Sequence, residues 1–425
     1  MTEPLRDERS ASVVVFRTND VVYAAPVVTR SRFAWSWIAI GVWVLVLTGV
    51  GVRVAVQKAE RQSVVPIYLT GGERWLHGES LYPPILGMDL YRNPPGVAAL
   101  FARLSLLPAK PAAIVWRVAC VVVYLIGIRN LLRDVLPPLP AWRRAVVWSL
   151  AAVLAIPAIN NGQINLMIVA AALCGVSACA RNRWWAAAAW LAFAGWFKIY
   201  PFAIGLLSVV IAPQKLGWRL AVMTALLFGL PFLLQNPRYV WDRHVEFVRE
   251  MQLDDRTRPE VPLARVPRDW TIIPRLAFEF PVPRELSVAV GLAFAAGMAG
   301  MVMWLSRRLH PPAPSVVLFP LVFGLIWITL FGPGTEMNTY SVLAPVAGVL
   351  AVGTRSRWVS VFGGIGGLLL AVAIVRASFP SDAPYKLIAV QPIAAGLLLI
   401  AAVGSAQKQK DTDHTERITD EEDQK

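Results

Sequence analysis

Long stretches without a single charged side chain constrain this sequence more than any other feature. Phe33–Val52, Ile159–Ala180, Leu220–Gln235, Leu286–Ser306 and Ser315–Pro333 carry none. Wound as helices rising about 1.5 Å per residue, such stretches cross much or all of a hydrocarbon core about 30 Å thick. Only 16% of the residues are charged and 56% are hydrophobic, whereas a soluble domain has about 25% and about 45–50%. A soluble enzyme, a secreted disulfide scaffold and a disordered regulator are excluded together. The sequence describes an all-α polytopic membrane protein.

Cys120, Cys174 and Cys179 all fall inside apolar stretches, at spacings that suit neither a disulfide framework nor a metal site. His77, His244, His310 and His414 are scattered, with no pair at ligand spacing. The expectation is therefore no metal and no cofactor. A net charge of +14 could signal nucleic acid, but the basic residues flank apolar stretches, as membrane topology requires. No nucleic-acid partner is expected; the partner is the lipid bilayer. The first thirty residues are polar and mixed in charge, so the first apolar stretch is expected to remain as an anchor.

Hydropathy predicts about twelve spans, near 34–56, 111–131, 145–159, 163–180, 184–198, 200–213, 218–234, 286–305, 314–332, 340–354, 358–376 and 387–404. With residues 1–32 on the cytoplasmic side, the inner connections carry Arg129, Arg133, Arg143, Arg144, Arg181, Arg183, Lys215, Arg219, Arg307, Arg308, Arg355 and Arg357. The outer connections 160–165 and 332–339 carry no Lys or Arg. That bias predicts cytoplasmic N- and C-termini in the plasma membrane. Counting Pro94–Pro108 as a span would invert every later loop, so it is placed as an interfacial helix, and Thr70–Leu81 as a second amphipathic piece. The membrane domain then covers 33–406, with long outer loops at 57–110 and 235–285. The charged tail 407–425 is expected to be a disordered cytoplasmic end.

With this orientation the unusual polar groups gather on the outer side. They are Asp89 and Arg92 in the first loop, Asn160–Asn165, Lys198 in WFKIYP, the run Asp254-Asp255-Arg256, Arg268-Asp269-Trp270, and Glu336 with Tyr340 in GPGTEMNTY. Each has a plain structural reading. Asn and Gly cap helix ends, lysines snorkel, and charge runs are solvated faces. Yet three Asn and one Gln between apolar stretches exceed what a turn needs. An ionisable residue beside WWAAAAWLAFAGWF is a functional candidate by default. Glu336 is the only charge between Arg308 and Arg355. Arg92 offers a fork of donors suited to phosphate.

At these residues the sequence resembles glycosyltransferase family 87, polyprenyl-phosphate-mannose-dependent enzymes of the GT-C superfold. Trp75-Leu-His-Gly-Glu-Ser-Leu-Tyr82 is similar to that family's small-Gly-x-x-x-Tyr stretch. Tyr91-Arg92-Asn93-Pro94-Pro95 resembles its aromatic-Arg-Tyr-Pro-Pro element, with Asn93 in place of Tyr. Asn161-Gly162-Gln163-Ile164-Asn165 is close to Gly-Gln-x-Asn, and Phe197-Lys198-Ile199-Tyr200-Pro201 to Lys-x-x-Pro.

The resemblance implies a hexosyltransferase that moves a sugar, usually mannose, from a polyprenyl-phosphate donor to a hydroxyl acceptor on a glycan, glycolipid or protein. For that reaction Arg92 and Lys198 are expected to contact the donor phosphate and Asn161, Gln163 and Asn165 the sugar or acceptor, with Arg256 and Tyr340, outside the matching motifs, as further candidates for the phosphate and for the sugar or acceptor. The family's aspartate, about four residues before a Tyr, is missing: Val64 stands there before Tyr68. The base has then moved, to Asp89, Glu336, Asp254, Asp255 or Glu73, or the chain is an inactive GT-C scaffold. A lipid or solute transporter is the other rival, and would place polar groups near the midplane.

Overall fold

The structure, a computed structural model, describes residues 14–18, 21–25, 30–56, 63–84, 89–253, 256, 258, 260–263, 266–308, 314–353, 356–377 and 388–423. A short antiparallel hairpin, Val14–Thr18 with Val21–Ala25, precedes a helical protein. The first half comprises α1 (Arg30–Val56), α2 (Val65–His77), α3 (Pro95–Leu104), α4 (Ala109–Asp134), α5 (Ala141–Asn161), α6 (Asn165–Ala180), α7 (Trp184–Phe197) and α8 (Phe202–Ile211). It continues with α9 (Trp218–Leu234), α10 (Pro237–Leu253), α11 (Ile272–Phe278), α12 (Arg284–Arg308), α13 (Leu318–Phe331), α14 (Ala344–Val352), α15 (Arg357–Ala377) and α16 (Val390–Asp423).

Prolines and glycines set many of these limits. Pro108 and Pro140 stand immediately before α4 and α5, where a missing N–H costs nothing. Gly78 and Gly162 end α2 and α5 in the left-handed conformation.

Eight helices among the described residues are long and apolar enough to cross a membrane: Phe33–Val56, Ala109–Asp134, Ala141–Asn161, Pro213–Leu234, Arg284–Arg308, Pro314–Phe331, Arg357–Ile374 and Val390–Gln407. This is a polytopic membrane protein. Hydropathy points to about twelve spans, several of them short. All twelve segments are helical, but α6, α7, α8 and α14 have only 16, 14, 10 and 9 residues. Sixteen residues of helix reach about 24 Å, short of the core. Helix α6 is buried on nearly every side; its apolarity answers to protein packing against α4 and α7, and hydropathy cannot tell that from lipid contact. Helix α16 runs on to Asp423, where no Pro or Gly follows Gly404 to stop it.

The two ends of the bundle differ in chemistry. At one end Arg181 of the α6–α7 connection reaches Asp134 at the end of α4, 3.8 Å away, and Arg133 meets the same carboxylate. The connections α4–α5 and α6–α7 therefore lie together there, with Arg143 and Arg144 opening α5. At the other end α2 and α3 pack on one another, and α10 covers them. Tyr239 rests edge-on against Trp75, with ring centres 5.5 Å apart. Phe247 sits 6.0 Å from Tyr82, and Ser80 hydrogen-bonds to Glu246.

Candidate active site

The turn between α5 and α6 is built first from the backbone. Gly162 takes φ +65°, and a Cβ there would lie 2.4 Å from Val65 Cγ2, so only glycine fits. The exposed carbonyls of the last turn of α5 are then collected by one cation. Arg117 of α4 donates to Ile159 O (3.0 Å), Asn160 O (2.9 Å), Ala113 O (3.0 Å) and Ser63 Oγ (3.0 Å). Trp116 Nε1 donates to Gly162 O at 2.9 Å. Val64 N–H and Ser63 Oγ donate to Asn161 O, each at 3.1 Å. The place where an aspartate was sought after the first span is thus Val64, held against this turn with no carboxylate of its own.

Past the turn, Gln163 and Asn165 are buried, 7% and 1% exposed. The Asn165 amide donates to Gln163 Oε1 at 2.8 Å, and Lys198 Nζ donates to Asn165 Oδ1 at 3.1 Å. Lys198 ends α7 in extended backbone and lies 5.6 Å from the centre of the Tyr200 ring. A ladder of rings supports it from behind: Tyr68 to Phe101 at 5.0 Å, Phe101 to Trp116 at 4.7 Å and Trp116 to Phe197 at 6.4 Å. It links α2, α3, α4 and α7. Such pairs add about 0.5–1.5 kcal/mol each beyond burial.

Charged groups stand alongside. Arg92 pairs with Asp89 at 2.8 Å, and Arg256 with Glu336 at 3.3 Å. Burial would raise the Asp89 carboxyl, but the charges of Arg92 and Arg256, with the Leu90 N–H, hold it below the ordinary carboxylate value. Glu336 also caps the turn Met337–Leu343, reciprocally with Thr339. Arg268, buried enough to lower its own pKa, is the cation that Glu336 stabilises from the other side. Burial pushes the Tyr68 hydroxyl far above its usual value, and it feels both Tyr200 and Glu336. Tyr68 therefore stands as a neutral hydroxyl. Beside Arg92, the Asn93 amide oxygen is buried without a donor among the described residues, an acceptor left open.

The structure thus links Gln163, Asn165 and Lys198, with Asn161 in the same turn, and separately pairs Asp89 with Arg92 and Arg256 with Glu336. Asp254 and Asp255 lie outside the described residues. Glu73 is exposed on α2. Tyr340 is 1% exposed and gives its hydroxyl to Arg268 O, which fastens the second long loop to the Met337–Leu343 turn. Arg117 was not singled out in the sequence; its signal was a lone cation well inside an apolar stretch. Among the described residues no three His, Cys, Asp or Glu side chains converge as a metal site would need.

An apolar bundle with cations, carboxylates and amides assembled over one end defines a multi-pass membrane protein with polar chemistry at its mouth. A sequence model of Glycosyltransferase family 87 matches residues 91–333, more than half of the chain, and the chain belongs to that family. It is a membrane glycosyltransferase. No curated protein matches it.

Proposed function

We propose that the protein transfers a hexose, mannose by family resemblance, from a polyprenyl-phosphate donor to a hydroxyl acceptor at the outer face of the plasma membrane. The observation that carries this reading is the Gln163–Asn165–Lys198 chain, together with the Arg256–Glu336 ion pair. The cationic connections at the opposite end of the bundle favour that end as cytoplasmic, with both termini there.

In this reading Glu336 removes the acceptor's proton as its oxygen attacks the anomeric carbon. The bond from that carbon to the phosphate oxygen breaks, and the phosphate leaves with the electron pair. Lys198 and Arg92 stabilise the departing charge, with Arg256 beside them. Gln163 and Asn165 orient Lys198 and present amide groups to sugar hydroxyls, with Asn161 at the rim of the turn. Asp89 holds Arg92 in place, and Tyr340 keeps the Arg268 loop seated.

The test is to incubate the purified protein in liposomes with labelled polyprenyl-phosphate hexose and a hydroxyl-bearing glycolipid. A labelled glycoside supports the reading. Label that enters sealed vesicles without a glycosidic product identifies a transporter, and neither result identifies an inactive scaffold.

A further inference from the structure

Against α2 lies a cavity of about 540 Å³ between α1, α4 and the end of α5, lined by neither Lys198 nor Glu336. Its walls are apolar, with Leu47 and Gly51 on α1 and Val118 and Val122 on α4. From Lys110 to Leu125 it follows α4 for about 22 Å at 1.5 Å per residue, more than the roughly 15 Å of one leaflet's hydrocarbon. Its polar groups gather at the mouth end: Ser63, Asn160, Lys110 and Arg117. Among the described residues no acidic side chain lines it. The Arg117 guanidinium is engaged by backbone carbonyls and Ser63. Lys110 is exposed and has no polar partner among the described residues.

We infer that this cavity seats an acyl chain of an anionic glycerophospholipid, its headgroup over Lys110. A long apolar groove inside a bilayer fills with a hydrocarbon chain, and one unpaired cation at its rim selects a negative headgroup. The donor's chain does not fit this assignment. The groups proposed to take its phosphate, Lys198, Arg92 and Arg256, do not line the cavity. The occupant must bring its own anion. It would lie directly under the Ser63–Asn161 junction, so its presence would stiffen the turn that carries Gln163 and Asn165.

The experiment uses the full-length protein in nanodiscs with phosphatidylglycerol bearing a photoreactive acyl chain, and the phosphatidylcholine of identical chains as comparison. Peptide mapping reads labelling directly and does not depend on sugar transfer. The expected result is labelling of 47–55 and 113–125, favouring phosphatidylglycerol by about fivefold, the weight of one lysine near an anionic lipid. Lys110→Glu should abolish that preference. Gly51→Phe and Val118→Trp enter the groove from opposite walls, and each should block labelling. A Cβ at Gly51 meets nothing within 4 Å and Val118 is 55% exposed, so neither change disturbs the core. Equal labelling by both lipids in the unaltered protein overturns the proposal, as does labelling that survives both groove-filling changes. Displacement of the probe by a polyprenyl phosphate assigns the groove to the donor and also overturns it.

Discussion

The Lys198 ammonium donates to the Asn165 side-chain oxygen at 3.1 Å, tying the end of α7 to the first residue of α6. Asn165 is oriented in turn by Gln163, so one of the three lysine donors is fixed by a buried amide pair. The charge is thereby aimed rather than left to roam on a flexible stem.

Removing that aim and removing that charge should differ. Lys198→Ala is expected to lower kcat about 10²- to 10³-fold, the range for loss of one preorganised group that stabilises developing charge. Asn165→Leu keeps the cation but frees it, and should cost about tenfold, well under the loss of the group itself. Initial rates with a labelled donor compare the two. Equal losses would mean that the amide pair does more than position the lysine.

Arg117 predicts a structural effect. Arg117→Ala removes the guanidinium from the Asn160 carbonyl and leaves the Ile159 carbonyl with the Gly162 N–H alone, at about 1–3 kcal/mol for a group left unpaired. Thermal unfolding in detergent should show a clear loss of Tm. Arg117→Lys should recover less than half of it, since an ammonium cannot fork across three segments.

Gly162→Ala tests the turn itself. The left-handed φ and the approach of Val65 Cγ2 make a methyl group costly, by about 1–3 kcal/mol. Activity should fall with stability, because Gln163 follows immediately.

Asp269 predicts a dependence on pH. It is buried, 6% exposed, and burial raises its carboxyl above the ordinary value despite the Thr271 N–H and hydroxyl that favour the ionised form. The folded state thus holds the proton more tightly than the unfolded state. Its contribution is fully present below the ordinary carboxylate value of about 3.9 and is lost as pH rises through the raised one. Asp269→Asn keeps an acceptor for Thr271 and should flatten that loss in unfolding curves recorded against pH.

Much of the site was legible because membrane sequences are poor in polar residues, so the amides of 161–165, Lys198, Arg92 and Glu336 stood out against apolar neighbours. Their pairing was not. Arg256 meets Glu336 across 80 positions, and only the folded second loop brings them together. Arg117 escaped notice because its partners are backbone carbonyls, which leave no mark in side-chain identity. Tyr340 was legible as a polar residue at a helix mouth, yet its hydroxyl serves Arg268 O, a contact that depends on where a loop lands. What surrounds each helix was not legible either: α6, buried among other helices, has the same composition as one facing lipid.

The central claim is that a carboxylate at the mouth of the bundle serves as the base, although Val64 occupies the expected position. The most direct measurement is single-turnover transfer from a labelled polyprenyl-phosphate hexose by the unaltered protein and by Glu336→Gln, with Asp89→Asn alongside. The account predicts that Glu336→Gln binds donor normally and loses at least about 10²-fold in transfer rate, the contribution of a general base, while Asp89→Asn loses much less. Transfer at the unaltered rate by Glu336→Gln would contradict it.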